Sequence, residues 1–547
     1  MLSSQILIVM VAAIGLTIFA QRRGIQPPLL LAAVGLAASF IPGLPRTDLD
    51  PQILLSVVVP PLLYSAAVDF SFSSFMRRLS SILNLGVVLV VATTLAVGGV
   101  VAVMLPDLSL PAAMIVGAVV APPDAVSAVA VGGRLGLPDR LMTVLKGESL
   151  INDAAALTLF SLAVAAATGR HTLIPSPWLY FLYASLAGIV VGILVALLVN
   201  AIRQRLSDPT LISALAILTP FAAYGLAQEI QASGVIAVVF AGFALGHNAA
   251  SLGFAGRIQE REVWQVVDEL LEAFVFAYMG LQLRFVVEDA AHGGFSFTAL
   301  TETAAAAIAV VIGLRLAWIM ATALLGRWRY RRWVAAGKPK LRRRHDLAVP
   351  LSWPENIVLG WAGMRGVVTL AAAAGAPIVV HGGEAFAARE AIIPIAFAVA
   401  IGTLLLQGLT LPFLIRLLDI EDGEAPAERQ RQLTRARKIM RDASLETVNK
   451  LRAKASPDEV AMVERFVART RQSGNDEQQE DALAERRRPQ LKHALEAMRQ
   501  VLAAQRKALI AERDADRLDE DVMRELLEDI DLEEAVVASR RDRLSGS

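Results

Sequence analysis

The chain has 547 residues, 55% hydrophobic and 19% charged, with a mean hydropathy of +0.53 and a formal net charge of +1. Its average residue favours leaving water, which excludes an ordinary soluble domain and marks a polytopic membrane protein. The absence of cysteine excludes disulfides, thiolate metal sites and cysteine nucleophiles, and apolar runs that are long and do not alternate exclude a β-barrel.

A bilayer core about 30 Å thick takes roughly 20 apolar residues per helix. Such runs predict thirteen spans, centred near residues 12, 36, 60, 93, 121, 157, 189, 217, 240, 275, 312, 364 and 403. The first, from Gln5 to Ala20, lacks the basic leading segment of a signal peptide and is followed by Arg22 and Arg23, so it reads as a retained helix with its N-terminus outside. Alternation from that point puts twenty cationic residues in inner connections, Arg140 and Lys146 among them, and nine of the twenty between 327 and 344. The outer connections carry Arg46, Arg170, Arg284 and Arg389. This imbalance follows the positive-inside rule for the cell inner (plasma) membrane, and the odd span count puts the C-terminus in the cytoplasm. The basic 326–346 loop reads as a topology determinant beside anionic lipid, not as a nucleic-acid site.

Span five contains VVAPPDAVSAVAV. Pro122 and Pro123 remove two backbone donors and clash with the preceding turn, so the helix must break. At membrane depth a break is tolerated only beside a cavity, and in secondary transporters this is where substrate binds. Asp124 stands at that break, where capping the second half-helix and holding an ion are compatible duties. Span six opens GESLINDAAALTLF. On a helix Glu148 and Asn152 share one face, Ser149 and Asp153 the adjoining one. Two carboxylates, a hydroxyl and an amide oxygen form a hard-oxygen set suited to a small monovalent cation, whereas a transition metal would prefer His or Cys. Charged groups this deep are costly and mark ion or proton pathways.

Arg315 sits in GLRLAW, and Glu355 and Arg365 sit in PENIVLGWAGMRGVVTLAAAAG. An inverted repeat of six helices plus a linker would pair span five with span twelve, where the glycines of GMRG surround Arg365. Corresponding breaks in two halves are the signature of a discontinuous-helix transporter, and Arg365 would be the fixed positive charge beside the carboxylates. From about Ile420 the composition turns charged, with Leu491, Leu495, Met498, Leu502 and Leu509 at helical spacing. The expected organisation is a transmembrane domain over 1–419 and a charged helical cytoplasmic tail over 420–547. The tail reads as a solvated appendage or dimer-packing surface. Histidines 171, 247, 292, 345, 381 and 493 read as ordinary surface residues.

Taken together, GESLIND, APPDAVSAVAV and GMRGVVTLAAAAG resemble the signatures of bacterial sodium/proton exchangers within the monovalent cation/proton antiporters. The resemblance spans roughly residues 1–418. It implies an all-α membrane protein of about thirteen helices with inverted six-helix repeats, crossed broken helices and a homodimer. It implies that Asp153 alternately takes cation or proton, with Asn152 as its neighbour, Asp124 at the broken helix, Glu148 and Ser149 at other ligand positions of a sodium site, and Arg365 as the core arginine. The Asn-Asp pair is similar to that of electroneutral exchangers, electrogenic relatives carrying Asp-Asp.

Two positions depart from the family pattern. Pro123-Asp124-Ala125 stands where Thr-Asp-Pro is common. Ser65, in PPLLYSAAVDF, stands where relatives usually carry an acid that is a candidate partner of the core arginine, which leaves Glu148 or Asp69 to substitute. No nucleophile and base arrangement, metal motif or P-loop is present, so no enzyme is expected, and no cofactor beyond transported Na+ (or K+ or Li+) and H+. The expected partners are these ions, membrane lipid and a second copy, without nucleic acid. The rival readings are a K+/H+ antiporter of the same fold, a cation channel with a broken-helix pore, and a sensor with a vestigial site.

Overall fold

The computed structural model describes the chain except residues 1, 26, 42–53, 170–173, 175, 207, 293, 336–350, 380–385, 421–424, 453–487, 516 and 546–547. Arg46, Arg170, His171, His345, His381 and the 336–346 part of the basic loop lie outside the described residues. Every described element is helical. In chain order these are α1 Leu2–Arg23, α2 Pro27–Ser39, α3 Val59–Asp69, α4 Phe72–Arg77, α5 Leu79–Met104, α6 Leu110–Val120, α7 Ala125–Arg134, α8 Asp139–Thr168, α9 Pro177–Arg203 and α10 Pro209–Glu229. They continue as α11 Gly234–Asn248, α12 Phe254–His292, α13 Phe297–Ala335, α14 Trp353–Trp361, α15 Val367–Ala374, α16 Arg389–Leu418, α17 Ala425–Arg452, α18 Arg488–Asp514 and α19 Glu520–Ser545.

Among the described residues seven helices are long and apolar enough to cross a bilayer: α5, α8, α9, α10, α12, α13 and α16. Their outward faces are apolar, as on α9, where Leu194 is 59% and Leu198 62% exposed. Water would penalise such a face and lipid does not. Inward faces meet through small residues. A Cβ on Gly117 of α6 would stand 2.2 Å from the Thr94 carbonyl of α5, and one on Gly280 of α12 would stand 2.5 Å from the Ala32 carbonyl of α2. Only a bare Cα permits backbones this close.

Two pairs of short helices interrupt the pattern. α6 ends at Val120, just before Pro122 and Pro123, and α7 resumes at Ala125. α14 ends at Trp361 and α15 resumes at Val367, with GMRG between them. α14 is started by a capping box in which Ser352 and Glu355 satisfy one another's backbone N–H.

The chain divides into two compact units. One comprises residues 1–205, 213–247 and 262–422, and the other comprises 206–212, 248–261 and 423–547. The second unit is thus not purely the C-terminal segment, since it takes in the beginning of α12. Its core is built from Leu433, Leu495, Met498, Leu502, Leu509 and Leu527 with Ala250. Leu491 lies on α18, but its side chain is outside the described set. Asp531 of α19 receives Nε of Arg257 at 2.8 Å and Nη2 of Arg506 at 3.1 Å, and Arg506 also binds Glu534 at 2.6 Å. Elsewhere in the unit, Arg517 hydrogen-bonds Glu512 and holds its carboxyl below the usual range, whereas burial, aided by the nearby Asp529, raises that of Glu533.

Candidate cation site

α8 begins at Asp139, so Glu148 and Asp153 lie nine and fourteen residues into a continuous helix, about 14–21 Å along its axis. Arg140 and Lys146, expected in a connection, are therefore helical. Arg140 makes a two-pronged ion pair with the fully buried Glu355 at 2.7 and 2.9 Å.

The two interruptions meet. The Asp124 backbone N–H donates to the Met364 carbonyl at 2.6 Å. The Asp124 carboxylate packs so tightly on Gly366 that a Cβ there would stand 1.8 Å from Oδ2. Carbonyls freed by the broken helices find donors: Asn152 Nδ2 reaches Pro123 O at 2.9 Å, and Arg365 reaches Val120 O at 3.0 Å and Ala121 O at 3.3 Å. Arg365 thereby places its cation at the C-terminal end of α6, where the helix dipole is negative. Its own N–H is received by Thr403 of α16 at 3.0 Å. Pro122 and Pro123 thus form the break, and Asn152 and Arg365 satisfy its carbonyls.

Between these elements lies a cavity of about 460 Å³. Asp153, Asp124, Ser149 and Pro122 line it, so it gathers part of the set expected from sequence. Asp153 is 6% exposed, and no described residue offers it a hydrogen bond or ion pair. Glu148 departs from expectation. It is 2% exposed and does not line the cavity, because both its oxygens are taken by Arg315, with Nη2 to Oε2 at 2.9 Å and Nη1 to Oε1 closer still. A carboxylate already neutralised by a two-pronged guanidinium has no charge left for a sodium ion. Glu148 is therefore engaged in an internal ion pair away from the cavity, and it answers the buried Arg315 directly, with Arg365 only within Coulombic reach. Asn152 is likewise turned toward Pro123 and does not line the cavity.

Two further lining acids, Asp268 and Glu272, escape the sequence reading, whereas Asp69 enters it only as a substitute partner of the core arginine. Asp268 and Glu272 of α12 and Asp69 at the end of α3 face the same cavity. Ser65 donates its hydroxyl to Asp268 in a short hydrogen bond. The acid missing at position 65 thus has a counterpart supplied by a different helix. Thr369 of α15 lines the cavity with a buried hydroxyl that has no partner among the described residues, so a hydroxyl shares the cavity with Asp124 although none precedes Asp124 in sequence. The i, i+4 spacing of the two α12 acids, inside a span centred near 275, was the signal that could have found them.

Two interrupted helices meeting beside an unpaired buried carboxylate define the class, a secondary transporter with discontinuous helices. The family model described as sodium/hydrogen exchanger, transmembrane, matches residues 7–417, and the chain belongs to that family. An uncharacterized Na+/H+ exchanger of Mycobacterium tuberculosis is 33% identical over 435 residues, covering 79% of this chain and 77% of its own. The Na+/H+ antiporter ApNhaP of Aphanothece halophytica is 28% identical over 451 residues, covering 81% and 79%. Among solved structures, the sodium proton antiporter MjNhaP1 of Methanocaldococcus jannaschii superposes with a TM-score of 0.58 at 18% identity, covering 76% of this chain and 99% of that one.

Proposed function

We propose that this chain is an electroneutral antiporter that exchanges a monovalent cation, sodium first, for a proton at Asp153. The observation that carries the reading is the state of that carboxylate: 6% exposed, facing a cavity, with both nearby buried arginines engaged elsewhere. A buried carboxylate without a counter-ion is costly in its charged form, so it holds either a proton or a cation and the two exclude one another. Asp124 and Ser149 supply further oxygen ligands from the same cavity. One charge carried each way moves no net charge, in keeping with the Asn152-Asp153 pair.

The reading extends to thirteen spans in inverted repeats. Its support is the pair of interrupted helices, α6/α7 and α14/α15, at positions seven spans apart in the hydropathy pattern. Rigid movement of a core built on these helices, α8 and α16 against the rest would expose the cavity alternately to each side. The N-terminus would lie outside and the C-terminal helices in the cytoplasm, on the strength of the cationic loop bias. Homodimerisation rests on the family resemblance.

The test is reconstitution in liposomes with an imposed pH gradient, adding sodium, potassium or lithium and recording lumenal pH. Wild type should collapse the gradient with sodium, and the half-saturating sodium concentration should rise as pH falls, since protons compete. Asp153→Asn should abolish the response while the protein stays folded. Exchange by that variant with normal cation dependence would remove Asp153 from the mechanism, and steady sodium conductance without proton coupling would make the protein a channel.

A further inference from the structure

The cavity holds more acid than one exchange site requires. Five carboxylates line it, Asp69, Asp124, Asp153, Asp268 and Glu272, against a single cation, Lys146, among the described residues. They are graded in exposure. Asp69 and Lys146 are exposed, Asp268, Glu272 and Asp124 are half-buried, and Asp153 is buried. They also form an electrostatic chain: Asp268 is within Coulombic reach of Asp69, Glu272 of Asp268 and Asp124, and Asp153 of Asp124. The acids therefore run from the mouth of the cavity to its floor, and the two middle members sit one turn apart on a single face of α12, about 6 Å along its axis.

Two further features mark the middle of this chain as built to hold something. Asp268 is fixed by the Ser65 hydroxyl through one oxygen, while its other oxygen, Oδ1, is buried with no partner among the described residues. Thr369, 1% exposed, lines the cavity with a hydroxyl in the same condition. Buried polar oxygens without donors are costly unless a ligand supplies the positive charge.

We propose that Asp268 and Glu272, with Ser65 positioning Asp268, form a second cation station in the cavity, where a monovalent cation loses part of its water before passing to Asp153. This rests on the exchange reading above and adds a binding step to it. Carboxylate and hydroxyl oxygens can replace water ligands in succession, so the cation need not shed its whole shell in one move. A station of this kind governs how well the site loads at low sodium and has little influence on turnover once sodium is saturating.

The test uses the full-length chain, purified and reconstituted. Asp268→Asn/Glu272→Gln should raise the half-saturating sodium concentration about ten-fold, the loss expected for removing charge-assisted contacts, while the maximal exchange rate changes less than about two-fold. Ser65→Ala, a milder change that leaves both acids in place, should raise it about three-fold by freeing Asp268.

Sodium-dependent thermal stabilisation in detergent gives an independent readout. Asp153→Asn should keep part of the stabilisation, and Asp153→Asn/Asp268→Asn/Glu272→Gln should lose it. The station is overturned if sodium dependence in Asp268→Asn/Glu272→Gln and in Ser65→Ala equals wild type. It is also overturned if Asp153→Asn alone removes all sodium stabilisation, or if the folded double variant loses exchange as completely as Asp153→Asn, since the acids would then belong to one site. Failure of wild type to exchange would defeat the antiport reading separately, because the thermal readout does not depend on transport.

Discussion

Glu148 and Asp153 lie five residues apart on one helix, both nearly inaccessible, yet they live opposite lives. Glu148 is locked to Arg315, which also donates to the Leu359 carbonyl at 3.1 Å, so α8, α13 and α14 are joined through one guanidinium. Asp153 faces a cavity and has no such partner. Burial alone therefore does not identify an ion site; what distinguishes it is a charge that the fold leaves unanswered. A paired buried charge specifies structure, and an unpaired one is held in readiness for a mobile cation or proton.

The sharpest way to break this contrast is to make Glu148 resemble Asp153. Arg315→Met strips the partner from Glu148 and leaves a buried charge uncompensated, at a cost of about 3–5 kcal/mol. We expect loss of the folded protein, read as a collapse in thermal midpoint or in monodisperse yield. Adding Glu148→Gln to Arg315→Met should recover most of the stability, and exchange with it, because neither group is asked to carry an ion. Recovery of stability without any exchange would show that Glu148 has a transport role beyond its ion pair.

A smaller effect is expected where the contrast is set by backbone proximity. Gly366→Ala would push a methyl group onto the Asp124 carboxylate, 1.8 Å away if nothing moved. Asp124 or the α15 start must shift, so the half-saturating sodium concentration should rise about ten-fold, a cost of about 1.4 kcal/mol in affinity. Unchanged sodium dependence would mean that Asp124 serves only as part of the helix break.

These contrasts were unevenly legible in the sequence. Prolines 122 and 123 announce the first interruption because their chemistry forbids a continuing helix, and the glycines of GMRG mark the second because little else allows so close an approach to Asp124. The identity of Glu148's partner was not legible. Arg315 is 167 residues away, Arg365 is equally buried, and no periodicity says which guanidinium a given carboxylate will meet. Asp268 and Glu272 were hidden by context. The stretch REVWQVVDELLEAF carries enough charge to read as the watery beginning of a helix, and only the fold turns one face of it toward the cavity. The reach of the second unit is hidden as well, since Arg257, four residues before that stretch, meets Asp531 across 274 residues of sequence.

The mildest perturbation separates stability from transport most cleanly. Asn152 is fully buried, and its amide is the donor for the Pro123 carbonyl, one of the acceptors that the break exposes. Asn152→Ala leaves that carbonyl unsatisfied at a cost of about 1–3 kcal/mol, but it removes nothing that lines the cavity. The thermal midpoint should fall by several degrees, while proton-coupled sodium flux persists with little change in sodium dependence. Asp153→Asn should show the reverse, with an unchanged or raised midpoint, since a costly buried charge is gone, and no flux. If the two variants instead lose stability and transport in parallel, the division between a structural and a mobile-ion face of α8 does not hold, and Asn152 would have to be counted with Asp153 in handling the ion.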